Sequence, residues 1–305
     1  MASDLEIKAT HKALQADLIT LGYLPKGADD GNFGKASTRA LKRFQRHAGR
    51  RYRVHAVSDL AADVVPALAF KGSADGKADD ATRAEIKHWL DKQWKLPLKR
   101  FALKKVGDFT LREDVADAWV AVSSRVKALG GTVEGPYGDS KRGLRKAMKV
   151  GASSFSFHIV GRAIDIQQAL ANPRGRRYFI VRDTASDARD YWRLYCKTVN
   201  QDGTQGTLYE KGALICQSFS PSSSFDIPKG HYIDLTAEIE KDGVFERIPA
   251  QGGWDTSYNK TEWWHFQYAL DKQATFQDEC ELVGLSESDL AKAGYSLADM
   301  DHPPG

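Results

Sequence analysis

The residues of this chain best suited to chemistry fall in two blocks. The first is Ser156-Phe157-His158-Ile159-Val160-Gly161-Arg162-Ala163-Ile164-Asp165 and the second is Glu262-Trp263-Trp264-His265. Together they offer two imidazoles and a carboxylate able to ligate a metal ion, with a second carboxylate beside one of the imidazoles. A catalytic zinc ion takes three protein ligands from His, Asp, Glu or Cys and keeps a fourth position for water. A nearby Glu can then accept the proton of that water as it attacks a carbonyl. No G-x-S-x-G elbow surrounds Ser156, so it reads as a turn-fixing or hydrogen-bonding residue and not as a nucleophile.

The elements that must position these groups are short. Gly161 allows a tight turn after His158, and the alternation over residues 163–166 predicts a strand. On that strand Ala163 and Asp165 share one face, the small Ala leaving room for an ion, while Ile164 and Ile166 point into the core. Glu262 and His265, three residues apart, cannot share one face of a regular strand. Glu262 is therefore expected at a corner, with His265 entering a strand over 264–268. Trp254, Trp263 and Trp264 could wall a cleft or fill a core, and one of the two adjacent rings is expected in the core.

The pattern S-x-H-x-x-G-x-A-x-D followed by E-x-x-H resembles the signature of the LAS-type zinc peptidases, the D-Ala-D-Ala carboxypeptidases, D-Ala-D-Ala dipeptidases and related peptidoglycan peptidases. All of its fixed positions are present: Ser156, His158, Gly161, Ala163, Asp165, Glu262 and His265. The resemblance implies a Zn2+ cofactor held by His158, Asp165 and His265, with Glu262 as general base. It also implies an upstream Arg that holds a substrate carbonyl or carboxylate. Here the corresponding stretch, Gly135-Pro136-Tyr137-Gly138-Asp139-Ser140-Lys141-Arg142, sets its Arg apart from its Tyr and so departs from the family pattern. Arg142 is the first candidate for that role and Arg125 the second, with Ser156, Tyr137 and Trp263 as further substrate contacts.

The 305 residues suit two domains, and 42% apolar with 28% charged residues is the composition of a globular protein. No apolar run has the length of a membrane span. Cys196, Cys216 and Cys280 are scattered and odd in number, which excludes a disulfide scaffold and predicts buried thiols. Residues 1–100 carry 19 Lys and Arg against 12 Asp and Glu, whereas the remainder carries 25 against 28. Within the first part, Arg39, Lys42, Arg43, Arg46, Arg50, Arg51 and Arg53 form a basic cluster. It reads as a solvated helix face or as a site for an anionic polymer. No aromatic interleaving or nucleic-acid motif accompanies it, so nucleic acid is not an expected partner.

At the front, Ser3 and Glu6 form a capping box for a helix bearing Leu14, Leu18 and Leu21, stopped by Gly22. A second helix, capped by Ser37 or Thr38, carries Ala40, Leu41 and Phe44 on its inner face. Phe44-Gln45 echoes Leu14-Gln15, and Asp75-Gly76, Thr82 and the run 86–90 repeat the arrangement of Asp30-Gly31, Thr38 and the second helix. The order Leu14-Gln15, Leu21-Gly22-Tyr23-Leu24, Asp30-Gly31-Asn32-Phe33-Gly34, Thr38, Ala40-Leu41 and Phe44-Gln45 resembles the three-helix peptidoglycan-binding domain, over about residues 10–91. It departs from that pattern between 47 and 70. Further along, residues 115–129, 141–150 and 187–198 read as helical and 132–133, 163–166, 213–217 and 265–268 as strands.

The expected fold is therefore α+β, a small three-helix bundle followed by a mixed, mainly antiparallel-sheet domain. Its boundaries are 1–95 for the bundle, 96–108 for a linker, 109–285 for the catalytic part and 286–305 for a polar tail, in which Ser286 or Ser288 is expected to cap one last short helix. The resemblances imply a peptidase of peptidoglycan stem peptides, either an endopeptidase or a D,D-carboxypeptidase, because tethering raises the local concentration of enzyme on a polymer, and a monomer is expected. Glu-Trp-Trp-His is the form seen in dipeptidase-like members, which keeps a D-Ala-D-Ala dipeptidase as an alternative. A non-catalytic wall-binding protein with a vestigial metal site is another. The first residues have no secretory signal pattern. The expectation is thus of synthesis in the cytoplasm and delivery to the cell wall by other means, as for a modular phage endolysin.

Overall fold

The computed structural model describes residues 3–49, 54–56, 72–98, 101–133, 140–146, 153–171, 177–184, 189–218 and 223–305. The chain divides into two units, Met1–Arg100 and Phe101–Gly305.

In the first unit, α1 (Asp4–Thr20) opens on the expected capping box. The Ser3 hydroxyl accepts from the Glu6 N–H, and the Glu6 carboxylate accepts from the Ser3 N–H at 2.7 Å. The next helix, α2 (Lys35–Ala48), begins after Gly34 without a side-chain cap, ahead of the expected Ser37 or Thr38. Ser37 is turned inward instead and accepts from Gln15 Nε2 at 3.0 Å. Strand β1 (Val54–Ala56) precedes α3 (Asp80–Asp91), which is capped by Asp79, and pairs antiparallel with β2 (Trp94–Leu98). The core between the helices contains Leu14, Leu18, Leu41, Phe44, Ile86 and Trp89, with Phe44 and Trp89 edge to face at 5.2 Å.

The sequence echo corresponds to a repeated hydrogen-bond device. Buried Gln15, on α1, accepts from the Gly31 N–H at 2.7 Å and donates to Asp30, to the Asn32 carbonyl and to Ser37. Buried Gln45, on α2, accepts from the Gly76 N–H at 2.8 Å and donates to the Lys77 carbonyl and to Thr82. Each glutamine fastens its helix to the next Asp-Gly loop and to the helix start beyond it. An amide is suited to this because one side chain both donates and accepts.

The second unit begins with a hairpin, β3 (Leu103–Val106) and β4 (Phe109–Arg112), that leads directly into α4 (Glu113–Ala128). The expected helix over 115–129 is thus present. Val115, Trp119, Val122 and Val126 line its buried face, the i, i+3, i+4 stripe of an amphipathic helix. They pack on two antiparallel sheets. One has three strands in the order β12 (Phe245–Arg247), β13 (His265–Tyr268), β5 (Ala163–Asp165). The other has six, in the order β10 (Ser224–Asp226), β9 (Ile215–Gln217), β6 (Tyr178–Thr184), β7 (Asp190–Lys197), β11 (Gly230–Asp234), β8 (Thr207–Tyr209). Helix α5 (Leu235–Glu240) follows β11. The fold is α+β, as expected.

Of residues 187–198, expected as a helix, 187–188 lie outside the described residues and 190–197 form β7 instead. Trp192, Leu194 and Cys196 enter the main core on alternate positions, while Tyr195 packs in a second cluster with Phe179, Cys216 and Tyr232. Burial on both faces blurs the period, and the aromatic side chains favour a strand. The expected strand at 132–133 is irregular chain, and 140–146 holds no helix; 147–150 lie outside the described residues. All three cysteines are buried and free.

Residues 286–305, expected as a polar tail with one short helix, form two: α7 (Glu287–Lys292), capped by Ser286 as expected, and α8 (Leu297–Met300), each opened by a Ser–Asp capping box. Leu290, Tyr295 and Met300 pack with Phe276 and Cys280 of α6 (Phe276–Leu282) against Phe157, Ile159, Val160 and Ala163. These helices therefore form the wall behind the first chemical block.

Candidate metal centre and its cleft

Asp165 and His265 are brought together by strand register. In the β13–β5 pair they are direct partners, so their side chains leave the same face within reach of each other. The next position on that face pairs Gln267 with Ala163, and the methyl of Ala163 leaves the space free. His158 arrives on a 3-10 turn, Phe157–Val160, whose first N–H groups are capped by Ser156; its hydroxyl accepts from the His158 N–H at 3.2 Å. Gly161 ends the turn at φ 69°, where a Cβ would lie 2.7 Å from the Arg112 nitrogen. The positive φ and the close approach both call for glycine.

These pieces set three ligand atoms on one point. His158 Nε2 lies 3.2 Å from His265 Nδ1 and 3.2 Å from Asp165 Oδ1, and His265 Nδ1 lies 3.0 Å from that same oxygen. Zinc bonds of about 2.0–2.1 Å at tetrahedral angles separate ligand atoms by about 3.3 Å. The triangle therefore fits a tetrahedral ion with one position left open. All three side chains are buried or nearly so. Burial opposes the ionisation of Asp165, but the two imidazoles outweigh it and hold the carboxyl well below the usual range. Burial also pushes the His158 imidazole down, against the pull of Asp165, which favours the neutral ring that binds metals. The other ring nitrogen of His158, Nδ1, is buried with no hydrogen-bond partner among the described residues.

Glu262 stands at a corner, as expected. Its φ is 54°, and its carbonyl accepts from the His265 N–H at 3.0 Å, closing the turn into β13. Such a backbone costs a non-glycine residue on the order of 1–2 kcal/mol, and the surroundings hold it. Trp263 is buried in the main core and donates from Nε1 to the Tyr258 hydroxyl at 2.8 Å, so it is not in the cleft. Trp264, packed edge to face against it, lines the cleft. Burial raises the Glu262 carboxyl above its ordinary value, with Asp165 adding to the effect and His265 and Arg142 opposing it.

The cleft over the cluster has a volume of about 700 Å3 and contains His158, Asp165, Glu262 and His265 on its wall, together with Ser156 and Arg142. The Arg142 N–H donates to the His158 carbonyl at 3.1 Å, which ties that segment to the metal-facing turn. Arg125, the second candidate, is elsewhere. It forms ion pairs with Glu238 and Asp242 around α5 and is absent from the cleft wall. Tyr137 lies outside the described residues. Sequence reasoning missed Gln251, Asn259, Lys260 and Gln267, which also line the cleft. Gln267 carried a signal, its place two residues after His265 on one strand. The others come from a loop without periodicity.

Against known families, the peptidoglycan binding domain model matches residues 9–51, which span α1, α2 and the first Asp-Gly loop. The chain carries a peptidoglycan-binding domain near its N-terminus. The match covers the Gln15 device and ends before its counterpart at Gln45 is complete, and the metal cluster lies outside it. No curated protein and no solved structure matches the chain. Among the described residues no helix is long and apolar enough to cross a membrane.

Proposed function

We propose that this protein is a zinc peptidase acting on the stem peptides of peptidoglycan. The observation that carries the reading is the triangle of His158 Nε2, Asp165 Oδ1 and His265 Nδ1, with a half-buried carboxylate, Glu262, on the same cleft wall. A structural zinc site is closed by four ligands and needs no adjacent base. Three ligands beside a carboxylate on one cleft wall are the arrangement of a hydrolytic site.

When bound, zinc would polarise a carbonyl and lower the pKa of water. The chain's own residues would do the rest. His158, Asp165 and His265 hold the ion. Glu262 removes a proton from the water that adds to the peptide carbonyl, and delivers it to the amine nitrogen as the C–N bond breaks. A carboxylate positioned on the cleft wall can serve both as acceptor and as donor of that proton. Arg142, on the same wall, offers a guanidinium to a substrate carbonyl or carboxylate. The peptidoglycan-binding domain supports the polymer as substrate, since a small free dipeptide gains nothing from an enzyme tethered to the wall. An endopeptidase or a D,D-carboxypeptidase of the cell wall accords with both units, and on this reading the protein works at the wall.

The test is to incubate purified sacculi with the zinc-loaded protein and measure new amino groups, naming the new N-terminal residue by mass spectrometry. Release by the natural protein and loss of release in Glu262→Ala are expected. Binding to sacculi without any release would leave a wall-binding protein with a vestigial metal site.

A further inference from the structure

Glu262 has one side-chain hydrogen-bond partner that nothing in the motif names. Gln251 donates from Nε2 to Glu262 Oε1 at 2.8 Å. The backbone of Gln251 holds the same corner, its N–H donating to the Lys260 carbonyl at 2.8 Å. Main chain and side chain of one residue thus grip two points, 260 and 262, on the approach to the strained Glu262.

The loop between these points is built to keep that grip. The Gln251 carbonyl accepts from the Trp254 N–H at 3.1 Å, and the Lys260 N–H donates to the Ser257 carbonyl at 2.9 Å. Trp254 anchors the loop to the six-stranded sheet: it donates from Nε1 to Asp190 at 2.9 Å, packs edge to face on Trp192 and lies under the Arg182 guanidinium. Next to Gln251, Ala250 N–H donates to the Asp190 carbonyl at 2.8 Å. Gln251 is itself exposed at the cleft, so its amide is placed by backbone anchors and not by burial.

We propose that Gln251 is a positioning residue for the general base. It fixes the rotamer of Glu262 through Oε1 and leaves Oε2 for the proton in transit. An amide is chemically suited to this post. A Lys or Arg there would pair with the carboxylate and weaken it as a base, whereas a neutral donor orients it and leaves its charge in place. The inference rests on the peptidase reading and deepens it, because a site that only stored a metal would gain nothing from an oriented second carboxylate.

The test compares the zinc-loaded full chain with Gln251→Met, which keeps the length of the side chain and removes the donor, and with the same change in a Glu262→Asp background. Hydrolysis of a soluble stem peptide is followed for kcat and KM, with zinc content and melting temperature measured alongside. The expected result is a fall in kcat of about tenfold with KM, zinc content and melting temperature unchanged. That magnitude is modest beside the 10²–10⁴-fold of a whole acid–base group. In Glu262→Asp, whose shorter carboxylate no longer reaches the amide, the second change should cost little further activity. An unchanged kcat in Gln251→Met would overturn the inference and leave the peptidase reading intact. So would a loss of equal size in both backgrounds, which would make Gln251 a substrate contact. If the natural protein cleaves no peptide, the peptidase reading fails and the inference fails with it.

Discussion

At Glu262 two unfavourable features meet in one residue: a left-handed backbone at φ 54° and a carboxyl whose charged form is disfavoured by burial. Strain and desolvation of this kind persist where surrounding structure over-determines them. They give two predictions. In the metal-free protein burial raises the Glu262 pKa, so this carboxyl should titrate above the ordinary Glu value of 4.5 when followed by NMR. A midpoint at or below that value would contradict the burial argument. The sign for stability runs the other way. A carboxyl with a raised folded-state pKa loses stability as pH rises through that pKa, because the folded state then carries a disfavoured charge. Metal-free Glu262→Gln should therefore melt higher than the metal-free natural protein at pH 7, and an unchanged or lower melting temperature would count against it.

The short elements hold the site only because two anchors fix them. Gly161 is one. Gly161→Ala should cost at least about 1–2 kcal/mol from the positive φ, and more from the approach to Arg112. It should also weaken zinc binding, because the turn carrying His158 must shift. The other anchor is a buried ion cluster. Glu279 of α6 accepts from Arg112 at the end of β4, from Arg162 just before β5 and from the Gln273 N–H, while Arg162 also donates to the carbonyls of Tyr268, Leu270 and Asp271. Four segments of the second unit meet there, including the start of one ligand strand and the end of the other. Glu279→Ala leaves the buried Arg162 guanidinium without its paired carboxylate, while Arg112 keeps Asp114, and should destabilise the second unit by about 3–5 kcal/mol, read by chemical denaturation. A loss below about 1 kcal/mol would show that the cluster is not an anchor.

The same elements explain what the sequence made legible. The turn cap Ser156, the glycine at 161, the alternation through Asp165 and the corner at Glu262 are local rules, acting within three or four residues. So are the Ser3–Glu6 box and the stripe of α4. What failed was non-local. Strand β7 looked helical because residues buried on both sides of a sheet show no clean alternation. Gln251 reaches the cleft on irregular chain, whose course is set by the hydrogen bonds it makes with distant segments.

At the scale of the molecule, a peptidoglycan-binding domain precedes a unit in which His158, Asp165 and His265 converge, and the proposed action on the polymer draws on both. The paired glutamines of the first unit give it a test of its own. Gln45→Ala leaves the Gly76 N–H, the Thr82 hydroxyl and the Lys77 carbonyl without their partner and should cost about 1–3 kcal/mol. Co-sedimentation with sacculi would then weaken on warming before hydrolysis of a soluble peptide does. Parallel loss of both would contradict independent roles for the two units. The central claim is that metal and base act together in hydrolysis. The most direct measurement compares zinc content and peptide hydrolysis in the natural protein, His158→Ala and Glu262→Gln, before and after chelation. The account predicts about one zinc per chain and hydrolysis in the natural protein, lost on chelation and restored by zinc. It predicts weakened zinc binding in His158→Ala, and full zinc content with hydrolysis down at least about a hundredfold in Glu262→Gln. Undiminished hydrolysis by the chelated protein, or by Glu262→Gln, would contradict it.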